Sequence, residues 1–288
     1  MSSKHVLARH FKLTPAALER AAETPQYREF LDVSVPKKKP REIQCPFGLT
    51  EALHYRLLEF LDRIERRPYL HSATKKRSST TNAKAHANGK AIAKLDVKSF
   101  YENTSIAHVQ EFFSEVLLCS HDLAVLLANL MTVNGHLPTG SAISPLLSYF
   151  AHLQMFDEIA SLCKERGVTM TLYIDDFTLS GDGASTSLIH DVAKVVRKRG
   201  IRTHKYQTFA SGQTKIVTGA AIRGSEVLLP NHQHQKITRD IDSVNRITDV
   251  DERKKMRKRI VGRLSAAKSV NRNAADKLRA RFKIADSI

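Results

Sequence analysis

Apolar residues recur along the chain at two spacings. In "TEALHYRLLEFLDRIERR", Leu53, Leu57, Leu61 and Ile64 share one face of a 3.6-residue repeat, which predicts an amphipathic helix. "LTPAALERAAE" predicts a shorter helix, with Thr14 as N-cap and Pro15 in the first turn. "SPLLSYFAHLQMFDEIASLC" predicts a helix capped by Ser144 with Pro145 at its first position. "STSLIHDVAKVVRKRG" predicts another, closed by basic residues and a glycine. Shorter apolar runs predict strands. "YREFLDVSVPKKKPREIQCP" reads as two strands around a basic turn at Pro36 to Pro40, and "AIAKLDVKSFY" as a strand that carries Asp96. "TLYIDDFTLSG" reads as a hairpin, and "KIVTGAAI" and "EVLLP" as short strands. "ATKKRSSTTNAKAHANGK" is polar and loop-like, and "GHLPTGSAISP" is rich in turn residues.

From about residue 231 the pattern changes. Between Lys236 and Lys283 there are sixteen Lys and Arg against six Asp and Glu. "DERKKMRKRIVGRL" and "NAADKLRARF" are helical in pattern, with Ile260, Leu264 and Leu278 as core. This predicts two regions, residues 1–230 and a basic helical subdomain over 231–288 that grips a phosphate backbone through residues such as Lys254, Lys255, Arg257 and Lys258. The whole chain of 288 residues carries a net charge of +17, which points to a polyanionic partner, nucleic acid before membrane. No apolar run approaches the length of a membrane span, and "MSSKHVLARHFKLTP" lacks a signal-peptide core. Cys45, Cys119 and Cys163 form no paired motif, which argues against a disulfide framework or structural zinc and fits a cytoplasmic protein.

The chemistry concentrates in the carboxylates. Asp175 and Asp176 stand side by side between apolar runs. A regular strand would aim them to opposite faces, whereas a tight turn at the pair presents both near one edge. At about 4 Å, two such charges repel by roughly 4 kcal/mol at an effective dielectric near 20. Protons, arginines or a divalent metal would offset this, and Mg²⁺ takes a few carboxylates together with substrate phosphates. Asp96, at the end of its own strand, is a third candidate ligand.

"AKLDVKSFYENTS", "LPTGSAISPLLS" and "YIDDFTLSG" follow one another in the order of the reverse transcriptase palm motifs. "NAKAH", Asn82 to His86, resembles the NAxxH element of retron reverse transcriptases, and His86 lies ten positions before Asp96. "VTG", Val217 to Gly219, resembles the VTG element those enzymes carry after the palm. The sequence therefore resembles bacterial retron reverse transcriptases over roughly residues 27 to 285. The resemblance implies an α+β right-hand polymerase fold with fingers, a palm whose antiparallel sheet carries the YxDD hairpin, and a small helical thumb. It implies that Asp96, Asp175 and Asp176 are catalytic and hold two Mg²⁺ ions, with the Val97 backbone carbonyl as a further ligand. Tyr101 would lie under the deoxyribose and exclude a 2′-hydroxyl. Lys39 and Arg41 would hold the incoming triphosphate, arginine by its bidentate fork. Gly140 would let the backbone approach the nucleotide. Asn82 and His86 match an element placed with RNA recognition or local structure, and Thr218 and Gly219 match one that would contact the bound RNA near the priming site. The implied partners are a cognate noncoding RNA, its RNA–DNA product, dNTPs and an operon-encoded effector in anti-phage defence, with no membrane.

The sequence departs from the family pattern in places. Thr139 stands where LPQG has Gln, and Ser141, Ala142 and Ile143 replace the common small-Pro-polar run. Ile174 stands where retron enzymes often have Ala, a β-branched residue that fits a strand. In "GIRTHKYQT" a one-place register difference would set Tyr206 where the family often has a lysine able to protonate the leaving pyrophosphate, with His204 or Lys205 as substitutes. Two other readings share these features: a group II intron-like or diversity-generating reverse transcriptase, and a catalytically silent RNA-binding protein on a palm fold.

Overall fold

The computed structural model describes residues 4–34, 40–244 and 246–286, with side chains described to residue 283. By its contacts the chain divides into two compact units, Met1–Pro68 with Asp96–Leu162 and His190–Lys205, and Tyr69–Leu95 with Cys163–Ile189 and Tyr206–Ile288.

In the first unit the helix Pro15–Glu23 starts as expected, with the Thr14 hydroxyl accepting from the Ala17 amide. Strands β1 (Tyr27–Asp32) and β2 (Arg41–Pro46) form an antiparallel ribbon with Phe30 opposite Ile43. The basic turn between them falls largely outside the described residues. The helix Gly48–Leu61 buries Leu53, Leu57 and Leu61, while Ile64 lies beyond its end. Apolar helices around His121–Met131 and Ser144–Ala151 supply much of the core. The Phe112 and Phe150 rings stack at 5.5 Å, as do Tyr149 and Phe156 at 5.9 Å.

Two expectations about helix ends fail here. Ser144 is not a cap: it is already helical, and its hydroxyl donates to the Pro138 carbonyl at 2.7 Å. The long helix expected from Ser144 onward breaks at His152 and resumes as Leu153–Glu165. The buried His152 ring lies 3.2 Å from the Thr104 hydroxyl, a tertiary bond that outweighs helical continuity.

In the second unit β3 (Ile92–Val97), β4 (Thr169–Tyr173), β5 (Asp176–Ser180) and β6 (Thr203–Phe209) make a four-stranded sheet in the order β4-β5-β3-β6. The chain of β3 runs on into the first unit at Asp96, and β6 leaves that unit after Lys205. A second sheet consists of β7 (Lys215–Val217), β8 (Ala220–Arg223) and β9 (Glu226–Leu228), all antiparallel. The polar stretch expected as a loop contains a helix, Ser79–Lys84. Its start is a capping box in which Ser78 and Thr81 satisfy each other's amides. Thr at the third position hides this signal, which normally shows as Glu or Gln. Ala83 from this helix packs with Ile92, Val217, Ala220 and Ile222.

The basic C-terminal segment forms three helices, Asn231–Val244, Val250–Val270 and Arg272–Asp286. They enclose a core of Ile237, Ile241, Val244, Ile260, Leu264 and Leu278. Asp249 caps the long middle helix by accepting from the Glu252 amide.

Two buried histidines pin these units internally. His54 bridges the Leu130 carbonyl at 2.9 Å and the Ser141 hydroxyl at 2.7 Å. A carbonyl can only accept, so Nε2 carries the proton and Nδ1 accepts from Ser141. Burial pushes His54 down from 6.5 to about 4, and His86 to about 3. Both bind protons more readily in the unfolded chain. The stability they give is complete above the ordinary histidine value and falls as pH drops, by roughly 1.4 kcal/mol per pH unit for each ring. Thermal melts between pH 7.5 and 5 should therefore show a steady loss of Tm below about pH 6.5, shallower in His54→Gln. A Tm that does not change over this range contradicts the assignment.

Candidate nucleotidyl-transfer and RNA site

The Asp175–Asp176 pair sits at the tip of the β4–β5 hairpin, both residues half-buried. Tyr173 pairs with Asp176, so the loop between the strands is only Ile174 and Asp175. Ile174 has φ 60°, whereas Asp175 does not have a positive φ, the sign pattern of a type II′ turn. Glycine usually takes this first position, and a β-branched residue there is strained by about 1–3 kcal/mol. Ile174 is therefore a turn residue and not, as its β-branching suggested, a strand residue. The surroundings hold it. Its amide donates to the buried Ser72 hydroxyl at 2.9 Å. One residue before, Leu172 donates to the Tyr69 carbonyl and accepts from the His71 amide, both at 2.8 Å. Leu172, Phe177 and Leu179 anchor the strands in the core.

His86 supports the same hairpin from its other end. The ring is fully buried, 2.7 Å from the Ser180 hydroxyl on β5 and 2.7 Å from the Thr171 hydroxyl on β4. Asn82 is also fully buried, and its amide donates to Thr218 Oγ1 at 3.3 Å. Thr218 in turn donates to the Ser79 carbonyl at 2.6 Å. The two elements far apart in sequence, "NAKAH" and "VTG", thus meet in one unit. Thr218 and Gly219 form the two-residue turn between β7 and β8, with φ 41° and 84°. Two positive values mark a type I′ turn, for which glycine is suited and threonine is not. The same module touches the C-terminal helices: Gln233 donates to the Gly219 carbonyl at 3.0 Å, and Thr80 lies 3.5 Å from the Ser269 hydroxyl. Within these two elements Thr218 is half-buried and Gly219 exposed, while Asn82 and His86 are fully buried and hydrogen-bond to the fold around them, the local-structure alternative for that pair.

In the first unit, Asp96 is the last residue but one of β3, just before the fully buried Val97. His204 Nε2 lies 3.1 Å from one carboxylate oxygen and Lys205 Nζ 2.6 Å from the other. Consecutive residues of a regular strand cannot both face one group. Lys205 has φ 54°, which breaks the alternation and turns both side chains to Asp96. Tyr206 follows with its side chain about half exposed. Ser99, at φ 47°, starts the short helical turn Phe100–Asn103, which leaves Tyr101 half-buried beside the buried Phe100 ring. Arg41 is exposed at the start of β2, and Lys39 lies outside the described residues.

Gly140 is needed for close approach. A Cβ there would fall 2.6 Å from Cys45 Sγ and 2.9 Å from the Gln44 carbonyl oxygen. On the middle C-terminal helix Lys254, Lys255 and Lys258 are exposed and Arg257 is half-buried.

Among the described residues no three His, Cys, Asp or Glu side chains converge closely enough to hold a metal ion. Asp175 and Asp176 in the second unit, and Asp96 in the first, each offer carboxylate oxygens, donors that suit a hard cation and not a soft metal. Lys205 already sets a cationic group on Asp96. None of the described helices is long and apolar enough to cross a membrane.

No family model matches the sequence. The retron Se72 reverse transcriptase of Salmonella heidelberg is 29% identical over 160 residues, which cover 54% of this chain and 41% of that protein. The retron Mx65 reverse transcriptase of Myxococcus xanthus is 26% identical over 281 residues, covering 89% of this chain and 65% of that protein. The retron Ec86 reverse transcriptase of Escherichia coli is 22% identical over 252 residues, covering 85% and 78%. The chain thus spans less than two-thirds of the length of the first two relatives. Among solved structures, a Candida albicans telomerase in complex with a fragment of telomeric RNA aligns with a TM-score of 0.55 at 11% identity, covering 93% of this chain and 56% of that one. A foamy viral protease–reverse transcriptase in complex with double-stranded DNA aligns with a TM-score of 0.52 at 13% identity, covering 92% and 41%. The chain has the polymerase fold, of mixed helix and sheet, and by sequence it is similar to the retron reverse transcriptases.

Proposed function

We propose that the chain is an RNA-directed DNA polymerase of the retron kind. It binds a cognate structured noncoding RNA and makes single-stranded DNA joined to that RNA, primed from a 2′-hydroxyl of a guanosine. The observation that carries this reading is the Asp175–Asp176 turn. Two carboxylates sit on a hairpin whose first loop residue is strained, and strain of this kind persists where geometry is used.

In this reading Asp96, Asp175 and Asp176, with the Val97 carbonyl, would hold two Mg²⁺ ions. Bound there, the ions supply activation of the attacking hydroxyl and neutralisation of the triphosphate and leaving pyrophosphate. The protein's own residues position the reactants. Arg41 and Lys39 hold the triphosphate, Tyr101 lies under the deoxyribose, and Gly140 admits the nucleotide. His204 and Lys205, beside Asp96, are the candidates to protonate the leaving pyrophosphate. Lys254, Lys255, Arg257 and Lys258 meet the duplex backbone, whose A-form is read by shape and charge. Thr218 and Gly219 contact the RNA, and Asn82 and His86 contribute by holding their turn and the hairpin. The complex works in the cytoplasm with an operon-encoded effector in anti-phage defence.

The pairing of Lys205 with Asp96 favours a second reading, a silent RNA-binding protein in which an ammonium permanently replaces a metal. Primer extension on the native RNA separates the two. The wild-type protein should incorporate dNTPs only with Mg²⁺, and Asp175→Ala with Asp176→Ala should reduce the rate at least roughly a hundredfold. No incorporation by the wild type favours the silent reading. DNA that co-purifies with the protein should carry RNA through a 2′–5′ linkage. Only ordinary 3′–5′ linked cDNA would point to a group II intron-like or diversity-generating enzyme.

A further inference from the structure

The hydroxyl of Thr139 takes the place of a strand. Thr139 Oγ1 donates to the Glu42 carbonyl at 2.9 Å and accepts from the Gln44 amide at 3.1 Å. In a parallel ladder, a residue opposite position 43 would donate to the carbonyl of 42 and accept from the amide of 44. One side-chain oxygen does both. The opposite edge of β2 is occupied by β1, so this hydroxyl closes the edge that would otherwise be open. The next residue extends the contact, with the Gly140 amide donating to the Gln44 carbonyl at 3.1 Å. Gln44 is buried, and the hydrogen-bond needs of its amide and carbonyl are met by this turn.

The turn itself is fixed from behind. Ser141 donates to His54, and Ser144 donates to the Pro138 carbonyl. Pro138 to Ser141 is thus a rigid anchor, and Thr139 is its attachment to the β1–β2 ribbon. Arg41 is the residue immediately before Glu42, one of the two bonded positions.

We propose that Thr139 is a positioning residue that fastens β2 to this turn and so sets the reach of Arg41 toward a nucleotide triphosphate. The hydroxyl makes both bonds with the backbone and does not itself contact the base or sugar. This inference rests on the polymerase reading for its kinetic consequence, but not for the bond itself.

Two measurements test it on the full chain. Amide hydrogen exchange reads the clamp without any activity: Gln44 should be protected in the wild type and in Thr139→Ser, and should exchange at least tenfold faster in Thr139→Val. Unchanged exchange in Thr139→Val, or equal loss in Thr139→Ser, overturns the clamp. Steady-state incorporation reads the consequence. Thr139→Val should raise the KM for dNTP about five- to twentyfold with kcat within about twofold, and Thr139→Ser should restore it. In an Arg41→Ala background Thr139→Val should add little, because both changes remove the same contact. A loss in kcat alone, or full additivity with Arg41→Ala, overturns the link to Arg41. If the wild type incorporates nothing, the polymerase reading fails, and the exchange result still decides whether the clamp exists.

Discussion

Adjacent carboxylates repel, so a turn that displays two of them must be held from outside itself. Here the restraint is a set of hydrogen bonds that reach the β4–β5 hairpin from sequence-distant segments. Tyr69 and His71 pair with Leu172, Ser72 takes the Ile174 amide, and His86 links the two strands through Thr171 and Ser180. The left-handed Ile174 is tolerable only because this frame leaves it no alternative. If any of these bonds were loosened, the turn would relax first, since it carries both the strain and the charge repulsion. A buried neutral histidine suits this task, because it offers a donor and an acceptor without bringing charge into the core.

The same economy recurs in the first unit. Segments that look irregular are fixed by hydroxyl groups: Ser141 on the His54 ring, Ser144 on the Pro138 carbonyl, Thr139 on the β2 backbone. Side-chain hydrogen bonds of this kind let a loop be rigid without belonging to a helix or sheet. Here this lets the turn around Thr139 lie directly against the β2 backbone. Gly140, with no room for a Cβ, marks the point of closest packing.

Much of this was legible from residue pattern, and the exceptions are instructive. The hairpin, the last two basic C-terminal helices and their core positions Ile260, Leu264 and Leu278 follow from apolar spacing, because burial dictates spacing directly. Likeness to reverse transcriptases was legible because three motifs keep their order. The helix Ser79–Lys84 was not legible, since its stability comes from a Ser–Thr capping box and from Ala83 packing, not from an apolar stripe. Ser144 looked like a cap because local preference cannot see a carbonyl six residues upstream. Ile174 looked like a strand residue because β-branching reports what a residue prefers, not what its neighbours impose. For His86 the spacing to Asp96 could signal importance but not burial, and for His54 no sequence signal was present at all.

The interlock of Asn82 with Thr218 gives the chain an unusual unit of exchange. One side of it reaches the β4–β5 hairpin through His86, and the other reaches the C-terminal helices through Gln233 at Gly219 and Ser269 at Thr80. Neither short motif is complete in isolation, because each supplies the other's hydrogen-bond partner. In building chimeras among related chains, the two motifs therefore form a single cassette despite the whole palm sequence between them. A graft that carries one without its counterpart leaves a buried amide facing the wrong turn.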